Sequence, residues 1–229
     1  MVAALPYPAL CLVTDRRVCP PGDLPGRVGA AVAGGVDIVQ LRDKEESGGA
    51  LLELANALRD ATHGSAILLV NERADVAAAC GADGVQLGEA AMPIGAVRPI
   101  LSDGSIIGRS VHSVAGATEA QASGADFLLV GTMFATRSHP GEEPSGPGLL
   151  ERIRAAGVRT PLLAIGGITA DNVAQVMQAG ADGAAVITAI LASDDPKRAA
   201  SRIKSAMQDA IASADRNRGR SSRYTTSRR

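Results

Sequence analysis

The sequence predicts a single (β/α)8 TIM barrel of the α/β class, in which helices surround a closed parallel sheet. Of its 229 residues, 46% are hydrophobic, which is enough for one domain with one core. Short apolar runs alternate with segments of helical period, at 9–15, 37–42, 66–71, 84–87, 105–111, 126–134, 161–167 and 183–188. This alternation predicts right-handed βαβ units. The eighth run and a closing helix after 194–196 favour the barrel over the alternative, a doubly wound open sheet.

The helices are predicted from the spacing of apolar residues. In 48–64 and 169–180, apolar positions recur every three or four residues and a glycine closes the segment. His63 precedes such a glycine, so we expect it to be a helix-end residue.

A Gly-x-Asp repeat precedes the second, fourth, sixth and eighth predicted strands, with the aspartates Asp37, Asp83, Asp126 and Asp182. Glycine can end a helix in the left-handed conformation, and aspartate can hydrogen-bond turn amides before a strand. Because barrel chemistry lies at the opposite, carboxyl ends of the strands, we expect these aspartates to be structural.

Composition excludes several classes of function. With two Tyr, two Phe and no Trp, the chain has few side chains for stacking on bases, so we expect no nucleic-acid partner. No segment approaches the ~18 consecutive apolar residues of a membrane span, and the amino terminus lacks a signal-peptide pattern. Three scattered cysteines without metal spacing fit a reducing compartment. We therefore expect a cytoplasmic protein without a membrane partner.

The end of the chain differs from the rest in charge. From Asp215 onward it carries six Arg against one Asp, although the whole chain has a net charge of -1. We expect the barrel to comprise residues 1–213 and the Arg- and Ser-rich tail, 214–229, to be disordered.

Polar side chains cluster where the predicted strands end, and these ends should converge on one mouth. They are Thr14, Asp15, Gln40, Arg42, Lys44, Asn71, Glu72, Glu89, Arg109, Ser110, His112, Thr132, Thr136, Ser138, His139, Gly166, Gly167 and Thr188. Gln40, Arg42 and Lys44 alternate, so they point to one side. Two cations there are costly unless they meet an anion, which predicts a phosphate or diphosphate site.

A second anion signal follows the seventh and eighth strands. The segments IGGIT (165–169) and VITAI (186–190) place Gly166 and Gly167 beside Ile187 and Thr188. Barrels commonly bind phosphate at these two loops through backbone amides and a short helix. We therefore predict phosphate binding there.

Three further features have a functional interpretation, and for two of them the sequence also allows a structural one. Asn71 and Glu72 could hold a substrate and a hard cation such as Mg2+, or Glu72 could simply begin a helix. His112 could be a general acid or base, or a structural histidine. The polar, proline-rich segment 134–148 lies where a loop would cover the mouth, and we interpret it as a lid.

Up to about Ala212, the chain resembles the thiamine-phosphate synthase and TenI-type thiazole tautomerase superfamily. The resemblance depends on motifs that occur in that superfamily's order: QLRDK (40–44), VNERAD (70–75), GADGVQLGE (81–89), IGRSVHS (107–113), GADFLLVGTMFATRSHPG (124–141) and AIGGIT with AGADGAAVITAI (164–190). It implies a barrel, usually a homodimer, that acts on thiazole phosphate or its carboxylated precursor.

The resemblance also implies roles for individual residues. Gln40, Arg42, Lys44 and Asn71 would bind hydroxymethylpyrimidine diphosphate, and Ser110 would contact its phosphates. Glu72 would stand where an aspartate ligates Mg2+. The thiazole phosphate would meet Thr136, Ser138, Gly166, Gly167, Ile187 and Thr188, with His139 beside them. The catalytic residues would be His112, Arg42, Lys44 and Ser110.

Two departures leave the reaction open. Ala91 stands where synthases of the superfamily usually have a second metal carboxylate, and His139 stands where they usually have a lysine. Both changes reduce stabilisation of a departing pyrophosphate. We favour the synthase, because a diphosphate-binding enzyme retains QLRDK and Asn71 with Glu72. The alternatives are the metal-independent tautomerase, with His112 as proton carrier, and a non-catalytic barrel that binds thiazole phosphate.

Overall fold

A computed structural model describes residues 5–20, 22–62, 64–136 and 143–225, with side chains to residue 216 except that of residue 215. All eight strands pair in parallel and in chain order, and β8 closes on β1, so the predicted (β/α)8 barrel is confirmed. The strands are β1 Ala9–Val13, β2 Ile38–Leu41, β3 Ile67–Asn71, β4 Gly84–Leu87, β5 Ile106–Val111, β6 Phe127–Val130, β7 Leu162–Ile165 and β8 Gly183–Val186.

Helices connect the strands on the outside of the barrel. They are α1 Leu24–Ala33, α2 Gly48–Thr62, α3 Ala74–Cys80, α4 Ile94–Val97, α5 Val114–Ala122, α6 Gly148–Ala155, α7 Val173–Gln178, α8 Thr188–Leu191 and α9 Pro196–Thr225, with short 3-10 turns at Arg16–Val18 and Arg98–Ile100. The predicted helices at 48–64 and 169–180 correspond to α2 and α7. His63 lies outside the described residues.

The strands are shorter than the apolar runs that predict them. The run 126–134 contains β6, which ends at Val130, and the run 161–167 contains β7, which ends at Ile165. Beyond Val130, the segment that follows β6 still contacts the end of β7, because the N–H of Met133 donates to the O of Ile165 at 2.9 Å. The apolar residues after each strand therefore belong to packed loops at the mouth.

Each strand has two buried faces, as a barrel requires. Outward-facing residues join the helices in one large core, whereas the inward-facing residues form a separate cluster of Ala9, Cys11, Val13, Ile38, Leu69, Ile106, Phe127, Leu129, Leu163 and Ala185. A Cβ on Gly108 would lie 2.2 Å from Cζ of Phe127, so the absence of a side chain there makes room for the large ring. The interior is thus filled by side chains.

The aspartates of the Gly-x-Asp repeat each bridge two strands at the amino end of the barrel. Asp37 donates its N–H to the O of Leu10 at 2.9 Å, and its Oδ2 accepts the N–H of the same leucine at 2.7 Å. The same pair of bonds joins Asp83 to Leu68, Asp126 to Ile107 and Asp182 to Leu162. These contacts agree with the prediction that the four aspartates are structural.

Cations from the helices complete most of these bridges. Lys204 Nζ lies 2.5 Å from Asp37, Arg98 lies 3.0 Å from Asp126, and Arg154 pairs with Asp182. In three of the four repeats, an arginine side chain also donates to the carbonyl oxygen of the glycine in the Gly-x-Asp unit: Arg59 to Gly81, Arg98 to Gly124 and Arg154 to Gly180. Helices and strands are therefore joined by a repeated polar contact.

Helix α9 closes the barrel, packing against α1, α7 and α8. Its backbone is helical to Thr225 and so covers much of the segment 214–229, for which the sequence predicts disorder. The division of the chain at residue 213 stays a prediction. In the part of the chain that the structure describes, no helix is long and apolar enough to span a membrane.

Candidate active site at the barrel mouth

The inward-facing positions of the strands lead to one cavity at their carboxyl ends. The cavity has a volume of about 1060 Å³. The cavity is lined by every described residue to which the sequence analysis gives a binding or catalytic role, namely Gln40, Arg42, Lys44, Asn71, Glu72, Ser110, His112, Thr136, Gly166, Gly167, Ile187 and Thr188. Their convergence follows from strand alternation and the common direction of the eight strands.

The predicted substrate-binding residues Ser138 and His139 lie outside the described residues. So does the centre of the proposed lid, at 137–142. The lid stays a prediction.

Strand β2 and the residues after it supply an amide and two cations. Gln40 is buried, and its Nε2 donates to Oδ1 of Asn71 at 3.0 Å, so the two amides orient each other. Among the described residues, the Arg42 guanidinium and the Lys44 ammonium have no hydrogen-bond or ion-pair partner. Unpaired cations beside a cavity are suited to binding an anionic ligand.

Polar contacts hold the loop after β2 in place. Oγ1 of the buried Thr14 accepts the N–H of Arg42 at 2.9 Å. Arg16 contacts Asp43 at 2.6 Å and Glu46 at 2.5 Å. Oδ1 of Asp43 also accepts the backbone N–H of Glu45 at 3.0 Å. Thr14 is therefore a support for this loop and does not line the cavity, although we expected it at the mouth.

Asp15 and Arg17 lie at the cavity beside Arg42. Arg17 donates two side-chain hydrogen bonds to Asp15, and these bonds hold the pKa of Asp15 below its ordinary value. Sequence reasoning missed Arg17, because it lies beyond the strand in a 3-10 turn that periodicity does not predict.

Glu72 has an uncommon backbone conformation, with φ of 59°, in the left-handed region. Outside glycine this conformation is strained, and strained residues cluster at functional sites. The turn brings the carboxylate beside Gly88, where a Cβ would lie 2.5 Å from Oε1 of Glu72. Because Gly88 has no side chain, there is room beside it at the mouth for the carboxylate of Glu72.

Ser110 is oriented from below by Gln86, a residue that sequence reasoning missed. Nε2 of the buried Gln86 donates to Oγ of Ser110 at 3.1 Å, which leaves the serine hydroxyl proton for a ligand. Oε1 of Gln86 is buried without a partner among the described residues. The signal in the sequence was the polar residue at an inward position of the apolar run 84–87.

His112 and Glu89 form a pair at the cavity rim, with Nδ1 of the histidine 2.8 Å from Oε2 of the glutamate. Arg109 does not line the cavity with them, contrary to our expectation. Its position in β5 is of outward parity, one residue before Ser110, and its guanidinium bonds backbone carbonyls of the loop after β4.

The glycines after β7 pack tightly against the loop after β6. Gly166 and Gly167 have φ of 108° and 62°, and a Cβ on Gly167 would lie 2.5 Å from the O of Ala135. The carbonyl of Gly166 accepts the N–H of Phe134 at 3.0 Å, and that of Gly167 accepts Nδ2 of Asn172 at 2.9 Å. Since both carbonyls are used in these bonds, the N–H groups of Gly166 and Gly167 are the backbone groups available to a ligand.

The loop after β8 completes the cavity wall. Ile187 precedes the short helix α8, which begins at Thr188, and both residues line the cavity. The first amides of a helix have no partner within it, so they are available to a ligand.

The donor set at the mouth fits a magnesium ion. Mg2+ prefers oxygen ligands, and it usually binds one or two carboxylates together with substrate phosphates. Glu72 supplies a carboxylate in the space beside Gly88, and Glu89 lies on the neighbouring strand end. Across the residues that the structure describes, no three His, Cys, Asp or Glu side chains cluster as metal ligands. The residues therefore fit an ion that a bound phosphate helps to hold.

The fold and the cavity define a class of protein: a (β/α)8-barrel enzyme with its polar site at the carboxyl ends of the strands.

Comparison with known proteins identifies the family. A family model described as thiamine monophosphate synthase matches residues 10–190, and the chain belongs to this family. A thiamine-phosphate synthase from Methanoculleus marisnigri is 49% identical over 189 residues, covering 80% of this chain and 86% of that protein. One from Natronomonas pharaonis is 46% identical, covering 79% and 86%. The solved structure of a thiamine phosphate pyrophosphorylase from Pyrococcus furiosus has a TM-score of 0.80 at 36% identity, covering 89% of this chain and 96% of that one.

Proposed function

We propose that the chain is a thiamine-phosphate synthase, which joins hydroxymethylpyrimidine diphosphate to thiazole phosphate and releases pyrophosphate. The observation that carries the proposal is that two separate sets of anion-binding groups line one cavity. Arg42 and Lys44 form one group, and the glycine loop with the start of α8 forms the other. Two phosphorylated substrates that react with each other need both groups within one site.

The diphosphate is assigned to Arg42 and Lys44. When the pyrimidine methylene C–O bond breaks, its electron pair leaves with the pyrophosphate, and the lone pair of the thiazole nitrogen forms the new C–N bond. Negative charge develops on the leaving group, and fixed cations beside it stabilise that charge. The Ser110 hydroxyl, oriented by Gln86, donates to the same phosphates.

The pyrimidine ring is assigned to the amide pair of Gln40 and Asn71. Because Gln40 uses Nε2 on Asn71 at 3.0 Å, the remaining amide groups keep fixed directions toward the cavity. A heterocycle with ring nitrogens and an amino group offers both acceptors and donors for them.

The thiazole phosphate is assigned to the loops after β6, β7 and β8. Backbone amides of Gly166 and Gly167 and of the first residues of α8 can donate to phosphate oxygens. Thr136 lines the same cavity. Ser138 and His139 are proposed to join them.

Glu72 is the residue proposed to hold Mg2+ against the diphosphate. Bound there, the ion would neutralise charge on the leaving pyrophosphate. With a proton on both ring nitrogens, His112 is proposed to donate from Nε2 to the same leaving group.

The relatives favour the synthase over the tautomerase. Eight curated relatives are 40% to 49% identical, and each is named as a thiamine-phosphate synthase, one of them as a putative one. The presence of Gln40, Arg42 and Lys44 at the cavity agrees with that reaction. The homodimer, the cytoplasmic location and the absence of nucleic-acid partners stay predictions.

Purified chain incubated with both substrates should form thiamine phosphate, and chelation of Mg2+ should abolish the product. Arg42→Ala should lower kcat/KM by about 100-fold, because a cation at the developing charge is lost. Arg159→Ala is the matched control, since this exposed arginine precedes β7 at the other end of the barrel. Absence of product from the unmodified chain would overturn the proposal.

A further inference from the structure

Glu89 fixes one ring nitrogen of His112. Nδ1 of His112 lies 2.8 Å from Oε2 of Glu89, and both side chains are 52% exposed. An ionised carboxylate only accepts hydrogen bonds, so Nδ1 carries the proton in this pair. Nε2 is therefore the nitrogen that His112 retains for a ligand in the cavity it lines.

Arg109 fixes the loop that carries Glu89. Its guanidinium donates to the carbonyl oxygens of Glu89 at 2.9 Å and Met92 at 3.0 Å. The loop also turns at residues 88–91, where the N–H of Ala91 donates to the O of Gly88 at 3.1 Å. A planar guanidinium that bridges two carbonyls holds a loop in one geometry more firmly than a flexible ammonium does.

The first turn of α5 holds the pair from another side. Ser113, directly after His112, caps this helix by accepting the N–H of Gly116 at 3.0 Å. A Cβ on Gly116 would lie 3.3 Å from Oε1 of Glu89, so this carboxylate packs against the helix start. The positive end of the helix favours an anion there.

We propose that Glu89 and Arg109 are positioning residues for His112. Glu89 holds Nδ1–H in the neutral ring and in the imidazolium, so that Nε2 faces the diphosphate and donates to it when it also carries a proton. Arg109 holds the loop that carries Glu89. The inference rests on the proposed function, which supplies the diphosphate. A carboxylate that binds the second nitrogen of a histidine fixes its tautomer and ring orientation.

Nuclear magnetic resonance of the imidazole nitrogens tests the geometry without any substrate. The chain has three histidines, and His112→Gln identifies the signals of this one. At an alkaline pH where the ring is neutral, we expect the proton on Nδ1 in the unmodified chain and predominantly on Nε2 in Glu89→Ala. Arg109→Met should give a mixture of both. Glu119→Ala, at an exposed position of α5, is the matched control and should retain the Nδ1 proton. The same tautomer in the unmodified chain and in Glu89→Ala would overturn the proposal.

Steady-state kinetics tests the role in catalysis. Glu89→Ala should lower kcat by about tenfold with little change in KM for the diphosphate. The double variant Glu89→Ala, His112→Gln should be no slower than His112→Gln, because Glu89 acts through the histidine. Independent, multiplying losses would contradict the inference. If the unmodified chain makes no product, the proposed function fails, and the tautomer comparison alone decides whether Glu89 positions His112.

Discussion

The two ends of the barrel are built on different plans. At the amino end, one Gly-x-Asp unit occurs before β2, β4, β6 and β8, and each aspartate makes the same two bonds to the preceding strand. At the carboxyl end, each loop differs: a pair of cations follows β2, a strained glutamate follows β3, and two glycines follow β7.

The difference separates stability from chemistry. A contact that recurs around the barrel solves a problem common to every βα unit, the joining of neighbouring strands and helices. Arg42 and Lys44 follow a single strand and have no side-chain partner among the described residues. Side chains of this kind do not join strands or helices to one another. They remain available to a ligand.

The carboxyl end should be most sensitive at its glycine loop. Gly167→Val places a branched side chain at φ of 62° and a Cβ 2.5 Å from the O of Ala135, so the loop must move. We expect a loss of roughly 3 kcal/mol in the free energy of unfolding, as for strain at such a position. Thiamine phosphate formation should fall at least as severely. Urea denaturation and product assays measure the two effects, and an unchanged stability would contradict the packing argument.

The amino end should affect stability alone. Oδ2 of Asp182 accepts the N–H of Leu162 at 2.8 Å and pairs with Arg154, and Asp182→Asn removes the negative charge of this carboxylate. We expect a loss of about 2 kcal/mol in the free energy of unfolding, as for hydrogen bonds to charged groups. The turnover per folded molecule should stay that of the unmodified chain. A fall in kcat at full folding would break the division between the two ends.

Asp83→Asn provides a graded comparison within the repeat. Asp83 accepts the N–H of Leu68 at 2.7 Å but has no ion-pair partner among the described residues. Its replacement should therefore cost about 1 kcal/mol, less than that of Asp182. Equal losses in urea denaturation would show that the cation adds nothing.

Glu72→Gly should stabilise the fold while removing function. At φ of 59°, glycine avoids the strain that glutamate bears, so we expect a gain of about 1 kcal/mol in stability. Product formation should fall and lose its response to Mg2+. Glu119→Gly, on α5, is the contrasting variant and should destabilise the protein, because glycine is unfavourable within a helix. A destabilised Glu72→Gly chain would contradict the interpretation of strain.

Cys11, inside the barrel between the two ends, should affect stability at alkaline pH. Burial, and then the nearby charge of Asp37, raise the pKa of its thiol to about 12. The folded thiol therefore stays protonated where an unfolded thiol ionises. The resulting stability is complete below the ordinary thiol pKa of about 8.5 and is lost as the pH rises towards about 12. The difference in stability between the unmodified chain and Cys11→Ala should shrink between neutral and alkaline pH, and a constant difference would contradict this.

The sequence alone determined the barrel, the direction of its strands and the position of its mouth. Alternation places Gln40, Arg42 and Lys44 on one side of their segment, and parallel strands bring the residues at their carboxyl ends together whatever the details of packing. Local turn chemistry, likewise, identified the repeated aspartates as structural.

Only the tertiary structure decided which polar groups meet. Gln86 supports Ser110 from a neighbouring strand, and Arg109 reaches the loop after β4 instead of the mouth. Glu89 pairs with His112 across 23 positions of the chain. Such contacts depend on side-chain directions at loop ends, which follow from packing between segments distant in sequence and leave no periodic signal.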